Sequence, residues 1–246
     1  FELGEQKVRV TQAIFVDGGK SIVSYEHGGA VRRIMLDSRR VETLQEQSDP
    51  SAFTLGSNSG FLCASQDRRW IGAVEMDNDG FFVRIWDLSS KSPPRKVSIG
   101  EERATAIAIS PDGGTLAAYI LKKNTAFVWD IASGERKPVT IKLDAEPKLL
   151  PSFGAVQFSP DGRTLAVAGF GGQVLFMNVE TWTLKGDVKL AAVRGQGISS
   201  LAFSPDGRRV ACGCVFIDPQ VKILDVEKCT TERVLSGHTG FVAGLA

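Results

Sequence analysis

Ala106-Ile107-Ala108-Ile109-Ser110-Pro111-Asp112-Gly113, Ala155-Val156-Gln157-Phe158-Ser159-Pro160-Asp161-Gly162 and Ser200-Leu201-Ala202-Phe203-Ser204-Pro205-Asp206-Gly207 are three near copies of one stretch. In each, apolar residues alternate before the turn, as Ile107/Ile109 and Leu201/Phe203 do, which is the period of a half-buried strand. Ser-Pro-Asp-Gly then suits a type I turn, because proline pre-sets φ at its second position and glycine suits its fourth. A second strand-like run follows each copy: Thr115 to Tyr119, Thr164 to Gly169 and Arg209 to Cys214. Two weaker copies precede these three. Ala13-Ile14-Phe15-Val16-Asp17-Gly18 is read as a residue shorter in the turn, and Leu62-Cys63-Ala64-Ser65-Gln66-Asp67 is the other.

The turn aspartates fall at 17, 67, 112, 161 and 206, with gaps of 50, 45, 49 and 45. A second mark keeps phase with them. Asp37, Trp86-Asp87, Trp129-Asp130, Met177-Asn178 and Leu224-Asp225 each close a short apolar run, at 20, 20, 18, 17 and 19 residues from the turn aspartate. Two markers in phase over five periods define an internal repeat. A third strand is read at Phe82–Trp86, Ala126–Trp129 and Val221–Leu224, and a fourth at Val139-Thr140-Ile141, after the turn Ala132-Ser133-Gly134-Glu135. Four antiparallel strands per period make the blade of a β-propeller. No helix-period stretch supports a helical solenoid, and a β-sandwich, the structural alternative, would not need the double marker. The fold class expected is therefore all-β: a β-propeller of four-stranded antiparallel blades, with five complete blades and partial strands at both ends. Residues 1–246 form one incomplete propeller in this reading. Its approximate blades are 9–46, 47–100, 101–144, 145–191 and 192–236, with end pieces 1–8 and 237–246.

Bulk properties narrow the function classes. The chain carries 29 basic and 28 acidic residues in 246, so no electrostatic footprint suggests nucleic acid or an anionic membrane. No segment offers the roughly 18 uninterrupted apolar residues of a membrane span. Leu165 to Met177 comes nearest, and it is broken by three glycines and Gln173. Cys63, Cys212, Cys214 and Cys229 show neither CxxC spacing nor the density of a disulfide framework, and read as small buried hydrophobes. Cys212 and Cys214, two apart, would share one face of a strand.

The repeats resemble the WD40 family, especially its many-copy bacterial form with an FSPDG-type turn in each repeat. The likeness is strong from Ala104 onward and weaker before. The family's Trp-Asp dipeptide stands at Trp86-Asp87 and Trp129-Asp130, and its Gly-His dipeptide only at Gly237-His238. In that family the His, a strand Ser or Thr, the turn Asp and the Trp share a buried hydrogen-bond network. The resemblance thus implies structural roles for Trp86, Asp87, Trp129, Asp130, Asp112, Asp161, Asp206 and His238. Because the five complete blades lack the His, most cannot form that network, and apolar packing between blades must hold them. Phe1-Glu2-Leu3-Gly4 resembles a last strand and Gly237 to Ala246 the first strand of a further repeat, so the chain is expected to be an excerpt of a longer protein.

No catalytic, cofactor-binding or metal-binding residue is expected. Gly169-Phe170-Gly171-Gly172 lacks GxGxxG spacing and a following helix, so it reads as a turn. Nothing matches GxSxG, HExxH, a P-loop or zinc-ligand spacing. Carboxylates that recur with the period of the fold build turns, and they form no unique acid–base pair. Trp182 is read as partly exposed. The function expected is a non-catalytic interaction scaffold in the cytoplasm. Its partners are proteins or peptides, with no nucleic acid and no membrane. By family resemblance, partners engage the face built from the loops before the first strand and between the second and third. Those loops carry His27, Lys122, Lys123, Phe170 and Phe216, together with 145–152. The alternatives are a propeller-type enzyme, an assembly role, or the regulatory or targeting propeller of a larger signalling protein such as a Ser/Thr kinase.

Overall fold

Each Ser-Pro-Asp-Gly stretch folds into a turn closed by its own side chains. The computed structural model describes residues 10–26, 29–46, 62–144, 154–169, 171–190, 197–215, 219–242 and 244–245. The backbone N–H of Gly113 donates to the carbonyl of Ser110, Gly162 to Ser159 and Gly207 to Ser204, and all three glycines hold φ near 70°. The serine hydroxyl donates to the aspartate two residues on, at 2.5 Å for Ser110–Asp112 and Ser159–Asp161 and 2.6 Å for Ser204–Asp206. The same oxygen accepts the N–H of the first residue of the next strand, from Thr115, Thr164 and Arg209. The aspartate in turn accepts a backbone N–H from Gly114, Arg163 or Arg208. Ser65 and Asp67 make the same pair, with Trp70 N–H on the serine.

Among the described residues, twenty strands form five four-stranded sheets. β1 (Val10–Val16), β2 (Ser21–Glu26), β3 (Val31–Met35) and β4 (Val41–Gln45) pair in chain order as one antiparallel sheet. β5 (Leu62–Ala64), β6 (Trp70–Asp77), β7 (Gly80–Asp87) and β8 (Arg95–Gly100) make the second. The third contains β9 (Ala104–Ile109), β10 (Thr115–Ile120), β11 (Thr125–Asp130) and β12 (Arg136–Lys142). The fourth contains β13 (Ala155–Phe158), β14 (Thr164–Ala168), β15 (Gln173–Asn178) and β16 (Leu184–Lys189). The fifth contains β17 (Gly197–Phe203), β18 (Arg209–Val215), β19 (Val221–Asp225) and β20 (Thr230–Leu235). Among the described residues the only helical elements are two short 3-10 turns, Asp17–Gly19 and Leu121–Lys123. The fold is all-β, of the β-propeller class, and each sheet is one blade.

The ladder fixes which residues are equivalent from blade to blade. One bond recurs in all five: Leu36, Leu88, Ile131, Val179 and Val226 donate to the carbonyls of Lys20, Arg69, Gly114, Arg163 and Arg208. This register corrects two readings of the first repeat. Met35 N–H bonds the Arg40 carbonyl as Asp130 bonds Glu135 and Asn178 bonds Thr183, so Met35, and not Asp37, occupies the closing position. The first turn also has full length, because Val16 pairs with Ser21 five residues on, as Ser65 pairs with Trp70. There Val16 replaces the turn serine and Asp17 comes one residue early, so Asp17 takes the guanidinium of Arg33 as a partner.

The chain forms two compact units, Phe1–Glu101 and Glu102–Ala246. In the first, Val16, Val23, Tyr25 and Val31 pack against Leu62, Ile71, Ala73 and Trp86, so the core lies between its two blades. In the second, Ala117, Tyr119, Val128 and Ile141 pack on Val156, Phe158, Leu165 and Met177. The next layer there packs Ala166, Val174, Phe176 and Val188 on Ile198, Val210, Cys212, Cys214 and Leu224. Each Val, Leu, Ile, Phe or Met side chain among them contributes about 1.5–3 kcal/mol by leaving water. The partial strand expected within 237–246 is not formed by the described residues, although Val242 is buried and its carbonyl accepts the Ser199 hydroxyl.

The turn carboxylates tie stability to pH. The Ser110 hydroxyl, then the Gly114 N–H, hold the Asp112 carboxyl below the ordinary aspartate value, and Ser204 and Arg208 do the same for Asp206. At Asp161 burial pulls the other way, but Ser159 and the Arg163 N–H prevail. A carboxyl depressed in the folded state contributes stability that is whole above the unfolded value, about pH 4, and is lost as pH falls through the folded one. Urea midpoints should therefore hold steady from neutral pH to about pH 5 and fall below about pH 4, and Ser110→Ala should shrink that acid-side loss.

Candidate partner-binding face

Three polar ties stiffen one end of the second unit, where β10 turns into β11 and β14 into β15. In the third blade, Asn124 is a non-glycine residue in the left-handed region (φ 47°), and its amide closes the turn Leu121–Lys123. Tyr119 Oη donates to Asn124 Oδ1 at 2.6 Å, and Asn124 Nδ2 donates to the Leu143 carbonyl at 3.1 Å. Both side chains are buried, so these bonds form where water cannot compete. The Tyr119 ring fits only because residues 154 and 169 are glycines: a Cβ on either would run into it. Between the third and fourth blades, Gln173 accepts the Asp144 N–H and donates to the Asp144 and Asp187 carboxylates. Between the fourth and fifth, Lys222 Nζ donates to the Leu190 carbonyl at 2.6 Å.

Lys122 and Lys123 stand exposed on this braced turn. Lys123 Nζ lies 3.1 Å from the Glu102 carboxylate and 5.7 Å from the centre of the Phe127 ring, while Lys122 has no partner among the described residues. The other residues expected on this face, His27, Phe170, Phe216 and the loop 145–152, lie outside the described residues. By chain order 27 falls between β2 and β3, 170 between β14 and β15, and 216 between β18 and β19, each the counterpart of the Lys122 turn.

The carboxylates and indoles singled out from the repeat take up positions inside the blades. Asp130 accepts the N–H groups of Ala132 and Ser133, Asn178 those of Glu180 and Thr181, and Asp225 those of Glu227 and Lys228. Asp87 accepts from Ser89 and pairs with Arg69 through two bonds, which hold its carboxyl well below the usual range. Trp86 and Trp129 are buried, with Trp86 Nε1 donating to the Leu44 carbonyl of the neighbouring blade. His238 is exposed and bonds no described residue, because its segment joins no strand. Among the described residues, no three His, Cys, Asp or Glu side chains converge as a metal site would require.

The first unit holds a feature that the repeat spacing did not signal. Glu26 and Glu75 are buried carboxylates at equivalent ends of β2 and β6, matched by Arg32 and Arg84 on the next strand. Arg84 reaches Glu75 through two bonds of 2.9 and 3.1 Å, and Arg32 Nε lies 2.9 Å from Glu26. The equivalent residues in the second unit, Ile120/Phe127, Gly169/Leu175 and Cys214/Lys222, carry no such pair. A Glu two places beyond the residue that faces an Arg across the ladder is the signal, and it needs the register to be seen.

Comparison with known proteins gives a consistent picture. A profile of the WD40 family (WD domain, G-beta repeat) matches residues 188–225, which span the Ser204 turn and the closing Leu224-Asp225. The WD repeat-containing protein SL1-17 of Schistosoma mansoni is 32% identical over 125 residues, 51% of this chain and 38% of its own. The Protein LST8 homolog of Drosophila melanogaster is 28% identical over 111 residues, 45% of this chain and 35% of that one. The chain thus spans well under half the length of these relatives. A chain in a solved structure described as the Crystal Structure of Mitotic Checkpoint Complex superposes with a TM-score of 0.72 at 17% identity, covering 98% of this chain and 69% of that one.

Two substitutions test the geometry. Gly154→Ala should cost about 1–3 kcal/mol by driving a methyl into the Tyr119 ring, read as a lowered urea midpoint. Arg84→Met should cost about 3 kcal/mol or more, since it strands a buried carboxylate, and Glu75→Gln in the same chain should recover part of that loss.

Proposed function

We propose that this chain, whose repeats match the WD40 family, is a non-catalytic platform holding a protein partner against the loops between second and third strands. The observation that carries this reading is the division of labour within the repeat. The serines and aspartates that could do chemistry recur in four of the five blades and are spent on turns: Ser65, Ser110, Ser159 and Ser204 each bond their aspartate. The residues at the ends of the blades do not recur. Lys122 and Lys123 have no counterpart at the same place in the fourth blade, where Phe170 stands, or in the fifth, where Phe216 does. A constant scaffold with variable ends suits recognition, in which rigid blades lower the entropic cost of ordering the contact surface.

Exposed cations in one blade's turn, with apolar residues at the same place in the sequence of the next two, suit a partner surface with carboxylates around an apolar centre, the usual anatomy of a protein interface. The braces at Asn124, Gln173 and Lys222 support this by holding the rim in place before a partner arrives.

Affinity purification from the source cell extract, with bound proteins quantified by mass spectrometry, tests the proposal. The wild-type chain should retain a defined protein that Lys122→Glu/Lys123→Glu and Phe170→Ser/Phe216→Ser each release by about tenfold or more, with melting temperature unchanged. Equal retention by all three proteins overturns this choice of face.

A further inference from the structure

One backbone position in the turn between the third and fourth strands is left-handed in four blades: Arg39 (φ 55°), Gly134 (φ 73°), Trp182 (φ 55°) and Cys229 (φ 51°). The ladder makes them equivalent, since each immediately precedes the residue paired with the closing position, Arg40, Glu135, Thr183 or Thr230. Glycine adopts this conformation freely, whereas a side chain there costs about 1–2 kcal/mol. Trp182 is the bulkiest of the four, and strain of this kind clusters where a side chain is held for use.

Its indole forms one wall of a surface groove of about 530 Å³ between the third and fourth blades. Lys137, Pro138, Val139 and Thr140 of β12 line one side, and Met177, Thr181 and Trp182 the other. Trp182 and Val139 are half-buried against the core below, and Lys137 Nζ lies 5.7 Å from the indole centre. The next interface is closed at the same place, because the small Cys229 side chain sits directly over Gly186. Gly134, in the third blade, has no side chain to offer. Among the described residues, the equivalent turns at Gly134 and Cys229 thus offer no indole wall of this kind.

Charge decides what fits it. β12 reads Arg136-Lys137-Pro138-Val139-Thr140-Ile141-Lys142, with three cations and no carboxylate. Among the described residues none of the three joins an ion pair. Arg136 stacks on Phe127, and the aspartates whose charge feels Lys137, Asp112 and Asp130, are held by their own turns. The floor is aliphatic and offers a single aromatic wall, which suits one apolar side chain and gives no row of platforms for successive bases.

We propose that this groove binds an extended acidic peptide segment of a partner protein. One large apolar side chain of that segment lies on Trp182 between Val139 and Met177, and a flanking carboxylate meets Lys137, the cation of β12 that lines the groove. The surface is separate from the Lys122 turn, so the proposal does not depend on the face assigned above.

A labelled synthetic peptide with aspartates on both sides of one leucine is the probe, followed by fluorescence anisotropy. Wild-type protein should bind it, with affinity falling as salt is added. Lys137→Glu and Trp182→Gly should each weaken binding by about tenfold or more. Trp182→Gly puts at 182 the residue found at the equivalent position 134, so the left-handed turn is kept, and circular dichroism melting checks the fold. Lys122→Glu/Lys123→Glu should leave peptide binding unchanged, which separates this site from the other face. The proposal is overturned if the wild type ignores the peptide, or if both groove variants bind it as well as the wild type. It is equally overturned if an asparagine version of the peptide binds as tightly, or if a short oligothymidylate displaces the peptide at equal concentration.

Discussion

A four-stranded antiparallel meander has two apolar faces and no interior of its own, so it is stable only when another sheet covers it. That constraint governs this protein. Val23 and Tyr25 are buried because Ile71 and Ala73 meet them, and Phe176 and Val188 because Cys212 and Leu224 do. Stability is therefore shared between neighbours, as in other repeat proteins, and each blade depends on the next for its core. Burial at Cys212 also pushes its thiol far up, so that this cysteine and Cys214 behave as packing groups at the blade interface.

Since packing is non-directional, the turns must set the register. A one-residue slip would send every apolar side chain to the wrong face. The serine–aspartate pair prevents it by joining the end of one strand to the start of the next through a single hydroxyl, as Ser110 does between Ile109 and Thr115. Where the serine is missing, as at Val16, the aspartate takes an arginine from the third strand, and the register survives by a different bond. The same economy bears on function. A carboxylate already accepting two or three hydrogen bonds is held ionised and positioned, which makes it a good structural member and a poor general base.

Local chemistry and interblade chemistry thus occupy different residues. Turn groups repeat because every blade needs them. Groups that cross between blades do not: Gln173, Lys222 and Trp182 each serve one interface. Within the blades, the pairs built on a buried carboxylate, Glu26–Arg32 and Glu75–Arg84, belong to the first unit. Individuality enters a repeated fold at these crossings and at the loop ends, which is where recognition is proposed.

The amino-acid sequence by itself determined the strands, their order within a blade and the turns that join them. These rest on contacts within a few residues, such as Ser110 with Asp112 or Asp130 with Ser133, and such contacts repeat with the period of the chain. The tertiary structure alone decided what depends on partners far along the chain. It assigned Met35 to the closing position in place of Asp37, because only the ladder shows which amide meets Arg40. It showed the buried Glu75–Arg84 pair, whose members are nine residues apart but opposed across a hairpin. It left His238 without the hydrogen bond its dipeptide suggested, since that bond requires a strand that the described residues around it do not form. And it placed the Trp182 indole over β12, because a side chain's neighbour across two blades is set by how the sheets stack, which no local spacing encodes.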